Sequence, residues 1–162
     1  MRKVLGIVAC LVSFPAMAQP ASTEHPTIQS YAATQNISYG EAQSRLARLN
    51  DIVAVEKALN DKFPNQFGGL YVVHSPSFKV VVKMTGGGQG LLKQITSDPL
   101  FVVEKAETPI NQLNQLKDKV ARKVAAVDSF QFSAEVNVFD GTVDIRSQDN
   151  ARMQSLLTDD LQ

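Results

Sequence analysis

The sequence predicts an α+β fold of two αββ(α) units, each a long helix packed on a small antiparallel or mixed sheet, related by an internal duplication. Three observations predict it. Apolar residues recur at helical spacing over 39–63 and again over 110–127. Each of those stretches is followed by two short runs that alternate apolar and polar residues, the period of a half-buried strand. Turn residues join each pair of runs: Ser75-Pro76-Ser77 in the first, Asp140-Gly141 in the second.

The first segment reads as an address. Arg2 and Lys3 precede an apolar run over 4–14, and Ala16-Met17-Ala18 is a small-x-small tripeptide, the pattern of a secretory signal peptide. The run is too short for a bilayer, which takes ~20 apolar residues. Ile7-Val8-Ala9-Cys10 faintly matches a lipoprotein box, but the apolar run continues past Cys10 and too little precedes it. Cleavage is therefore expected after Ala18, in a periplasmic or secreted protein. Removing 1–18 takes away Arg2, Lys3 and the one Cys, leaving 14 basic against 16 acidic residues and a formal charge of −2. No disulfide is then possible, and no basic stripe invites nucleic acid or an anionic membrane. No later segment has the length and apolar character to insert in a membrane, so the expectation is no membrane insertion.

Residues 19–38 carry Pro20, Pro26 and scattered polar residues without an apolar period, and read as a flexible leader. The first unit is expected over 39–106. Ser38 and Glu41 form a capping box that starts a helix near Tyr39. Ala42, Leu46, Leu49, Val53, Leu59 and Phe63 make its apolar face, with Glu56 at the edge, and Pro64 stops it. Strands follow over 70–74 and 78–84; Phe78, Val80, Val82 and Met84 face the core and Lys79 and Lys83 face water. A glycine-rich connection over 85–90, a short helix over 91–96 and a third strand over 100–105 complete the unit.

The second unit, expected over 107–162, repeats the order without the closing strand. Thr108 caps a helix with Pro109 in its first position, and Ile110, Leu113, Leu116, Val120, Val124 and Val127 form the buried stripe. Phe132, Ala134, Val136 and Val138 alternate with Gln131, Ser133, Glu135 and Asn137; beyond Asp140-Gly141, Val143 and Ile145 alternate with Thr142, Asp144 and Arg146. A short helix over 150–157 ends the unit.

The residues do not assemble a catalytic set. His25 falls in the leader, and His74 beside Ser75 on a strand points to the opposite face, a poor arrangement for proton transfer. There is no HExxH and no EF-hand spacing, and the pairs Glu104/Glu107 and Asp159/Asp160 lie at element ends among polar neighbours. Thr85-Gly86-Gly87-Gly88-Gln89-Gly90 is followed by Leu91-Leu92, where a phosphate loop needs Lys and Ser or Thr. No enzyme, cofactor or metal is expected.

The stretch Phe63-Pro64-Asn65-Gln66-Phe67-Gly68-Gly69-Leu70-Tyr71, with Leu46-Ala47-Arg48 in the preceding helix and Lys79-Val80-Val81-Val82-Lys83 in the next strand, resembles the pro-regions of secreted bacterial serine proteases of the alpha-lytic protease and streptogrisin type. The similarity in element order continues through Val102-Val103-Glu104, the helix over 110–127 and the second hairpin, and so spans about 40–157. What the resemblance implies is a module that helps a protease fold and then inhibits it. The surface implied is Gln131, Ser133, Glu135, Thr142, Asp144 and Arg146, with the tail Thr158, Asp159, Asp160, Leu161 and Gln162 in the cleft. With no protease domain expected after Gln162, the partner implied, a secreted chymotrypsin-like serine protease, is expected to be met in trans. Two other classes compete with this expectation. One is a periplasmic peptide- or envelope-binding scaffold that kept the fold; the other is a small hydrolase with His74 as base.

Overall fold

The computed structural model describes residues 25–127 and 131–158. The expected signal segment, the residues 19–24 of the leader and the tail residues Asp159, Asp160, Leu161 and Gln162 lie outside the described residues. The fold is α+β, two small sheets each packed with helices. Helices α1 (Pro26–Gln35), α2 (Tyr39–Ala47) and α3 (Leu49–Lys62) precede strands β1 (Phe67–Val73) and β2 (Lys79–Met84), helix α4 (Gly88–Leu92) and strand β3 (Phe101–Lys105). Helix α5 (Ile110–Ala125), strands β4 (Phe132–Asn137) and β5 (Thr142–Ser147) and helix α6 (Asn150–Leu157) follow.

The segment expected as a flexible leader is instead helical over residues 26–35, where α1 forms. Pro26 at the first position and Asn36 in the left-handed region at the end (φ 52°) bracket α1, the punctuation a short helix needs. Its hold on the rest is tertiary. Ala32 is buried, and the Tyr31 hydroxyl lies 2.9 Å from His74 Nδ1 at the end of β1. Arg45 of α2 adds a bond from Nη1 to the His74 carbonyl (3.1 Å) and stacks over Phe78.

The single helix expected over 39–63 is two. Ser38 caps α2 as expected, its hydroxyl accepting the Glu41 N–H. At Arg48 the chain tightens, with its N–H bonded to the Arg45 carbonyl, and the guanidinium reaches out to Asp98 in the loop before β3. The break rephases the apolar stripe. Ile52 and Leu59 are buried while Leu49 and Val53 face outward.

The first sheet has the order β1-β2-β3, with β1 antiparallel to β2 and β2 parallel to β3. The parallel step needs a crossover, which the connection containing α4 supplies. Val80, Val82 and Met84 face Ile52, Leu59, Leu92, Phe67 and Phe101 in one apolar core. The expectation that the opposite face of β2 is open fails at Val81, which is fully buried between its neighbours Tyr71 and Val102. A central strand has both edges covered, and the Tyr71 side chain reaches across to β3 to cover the outer face as well. The glycine-rich connection is also more ordered than its composition suggests. It enters α4 at Gly88, where an added Cβ would stand 2.6 Å from Val103 Cγ1 and 2.9 Å from Met84 Cβ.

The second unit is a hairpin on a helix. Strands β4 and β5 pair antiparallel, Phe132 opposite Ser147 through Asn137 opposite Thr142. Their inner side chains Phe132 and Ile145 pack with Val120 and Val124 of α5 and Met153 and Leu157 of α6. Pro109 rather than Thr108 is the N-cap of α5, and no side-chain hydrogen bond caps the helix. Leu116 is turned outward, and Lys117 takes the inward-leaning position, its half-buried stem ending at Asn114 Oδ1 (3.4 Å). The Asp140-Gly141 pair closes a longer loop than a two-residue turn, because the Gly141 N–H bonds the Asn137 carbonyl at 2.8 Å and Gly141 takes φ +71°.

Candidate functional site

Residues implied as a partner surface come together on one face of the β4–β5 ribbon. Register places Ser133 opposite Arg146, Glu135 opposite Asp144 and Asn137 opposite Thr142. Gln131 lies just before β4, and Gln148 Nε2 donates to its Oε1 at 3.3 Å, extending the ladder by one rung. Period-two alternation is what gathers them: Phe132, Ala134 and Val136 turn to α5, so the residues between turn to solvent. Gln131, Ser133, Glu135, Thr142 and Arg146 are exposed and Asp144 is half-buried. At the open end a shallow depression of about 300 Å³ is lined by Gln131, Phe132, Ser133, Arg146, Ser147 and Gln148.

The loop end of the ladder is tightly organised. Asn137 Nδ2 donates to Asp140 Oδ2 (2.9 Å) and Asp144 Oδ2 (3.1 Å), while its Oδ1 accepts the Asp140 N–H (3.1 Å). The Thr142 hydroxyl donates to Asp144 Oδ1 at 3.1 Å. Both carboxylate oxygens of Asp144 are thus bonded locally, whereas Glu135 stands opposite with the same charge. Like charges directly across a strand pair are unfavourable.

Of the tail residues Thr158 alone is described. It is the C-cap of α6 and turns its hydroxyl back to the Gln154 carbonyl at 2.9 Å.

The sequence reading missed Phe139. This ring is 64% exposed and meets Tyr71 edge-on, centroids 5.2 Å apart at 64°. Its signal was present in the sequence as an apolar residue in a hairpin tip. The Tyr71 hydroxyl donates to Glu104 Oε2 at 3.1 Å, and Lys83 Nζ lies 3.9 Å from the same oxygen. Burial first, and the Glu104 bond second, push the Tyr71 phenol above its usual range.

His74 is occupied by Tyr31 on one side and Phe78 on another, the rings 5.8 Å and 6.0 Å from its own. Glu104 and Glu107 do not act as a pair: Glu104 serves Tyr71 and Glu107 binds Lys105 at 2.6 Å. Among the described residues no group of three or more His, Cys, Asp or Glu is placed to hold a metal ion, and no helix is long and apolar enough to cross a membrane. No protein-family model and no curated protein matches the chain.

Proposed function

We propose that the chain is an exported, non-catalytic binding module, similar to a serine-protease pro-region, that acts in trans on a secreted chymotrypsin-like serine protease as folding chaperone, inhibitor or both. The supporting observation is the polar ladder on a strand pair that takes no third strand among the described residues. Among the described residues no further strand pairs with the outer edges of β4 and β5, which leaves those edges as the place where an extended segment would add. Such strand addition draws affinity from the main chain and register from the side chains. The unbalanced Glu135/Asp144 rung favours a partner that brings a Lys or Arg to it, since a cation there relieves the cross-strand repulsion.

The test is a titration of the chain starting at Gln19 against a panel of secreted chymotrypsin-like serine proteases. It reads peptide hydrolysis and the activity recovered after dilution from denaturant. The expected result is inhibition or improved recovery for at least one protease, weakened by about tenfold in Glu135→Lys, where a cation meets a cation. No inhibition and no change in recovery across the panel contradicts the reading. Capture of cell-wall fragments or an envelope protein in its place favours a peptide- or envelope-binding scaffold on the same fold.

A further inference from the structure

We infer that the hairpin tip, Val138 and Phe139, is a releasable latch that couples the second unit to the outer face of the first sheet. Gly69 lies at a bulge in β1 with φ +100°, and a Cβ there would stand 2.7 Å from Val138 Cγ1 and 3.0 Å from Val138 Cγ2. Val138 therefore rests on bare backbone, a seat that only glycine leaves open. Two residues along the same face, the Tyr71 ring takes Phe139 edge-on, and its own hydroxyl is tied to Glu104 on β3. Ile110, the first residue of α5, lies 3.4 Å from the same Gly69 position, so helix and tip converge on one spot.

The tip is built to make this contact. Because Asn137 brackets the loop through Asp140 and Asp144, Val138 and Phe139 leave the strand together and are held forward as one rigid element. The contact is also small, for Phe139 keeps 64% of its surface exposed while docked. A contact of that size opens and closes at little expense, and whatever favours one position of the ribbon shifts the population of the other. The docked tip sets the stance of the ladder of Ser133, Glu135, Asp144 and Arg146. Its consequence for a partner rests on the binding role proposed above, whereas the latch itself does not.

The experiment is a double-mutant cycle in the full chain, without any partner, using Phe139→Ala, Tyr71→Leu and both together. Folding equilibrium constants and backbone amide exchange are read for each. The expected coupling is between about twofold and tenfold in the equilibrium constant, the range of an edge-to-face pair. Phe139→Ala is expected to speed exchange in β1 as well as in the hairpin. Additive effects, with faster exchange confined to the hairpin loop, overturn the latch. Phe139 is exposed enough for its variant to fold, and Phe139→Tyr, which keeps the ring, is expected to restore the slow exchange in β1. A coupled tip in a chain that binds no protease leaves the latch standing and removes the partner reading; an uncoupled tip in a chain that inhibits one does the reverse.

Discussion

Asp98 carries more of the first unit than its place in a loop suggests. Its Oδ1 accepts the Leu100 N–H at 2.8 Å and its Oδ2 takes the Arg48 guanidinium, which also faces Asp51 at 3.1 Å. The backbone bond first, and Arg48 second, hold the Asp98 carboxyl below the usual carboxylate range. A carboxylate with a depressed folded value adds stability that is complete above its ordinary value near 4 and is lost as pH falls through the folded one. Asp98→Asn is therefore expected to melt lower than the parent at pH 7, and the gap is expected to narrow over the acid range below about pH 4. A gap that stays constant over that interval, measured by thermal unfolding, contradicts this role. None of this was legible from Arg48 or Asp98 alone, because the two are fifty positions apart and each reads as an ordinary surface charge.

Elements with a strong period were legible, and those held by distant partners were not. Strands β4 and β5 follow from alternation, since burying one face fixes the parity of every residue. Helix α1 has almost no apolar period, and Ala32 and Tyr31 secure it through contacts with the folded body. The α2–α3 break is set by the reach of Arg48 to the loop before β3, which local spacing cannot contain. The glycine-rich connection misled for a related reason: Gly88 reads as freedom, yet it sits where Val103 and Met84 leave no room for a side chain. Gly88→Ala is expected to destabilise by about 1–3 kcal/mol through overpacking. Gly90→Ala, in the same helix with nothing within 4 Å of its added carbon, is expected to be neutral or to stabilise by up to about 1 kcal/mol. Chemical denaturation of the two variants distinguishes a packing seat from a loose linker; equal effects contradict the seat.

At the scale of the molecule, two helix-sheet units meet where the second hairpin reaches the first sheet. The polar ladder was readable residue by residue from the alternating sequence. The meeting point was not, because Gly69 and Val138 are joined only by the tertiary fold. The proposed seat of a protein partner, the edge and outer face of the β4–β5 ribbon, is checked by amide exchange along the full chain with and without a secreted serine protease from the panel. Slower exchange is expected in Phe132–Asn137 or Thr142–Ser147 in the presence of the protease, lost in Glu135→Lys. Protection confined to α2, α3 or the loop before β3, with the ribbon unchanged, contradicts it.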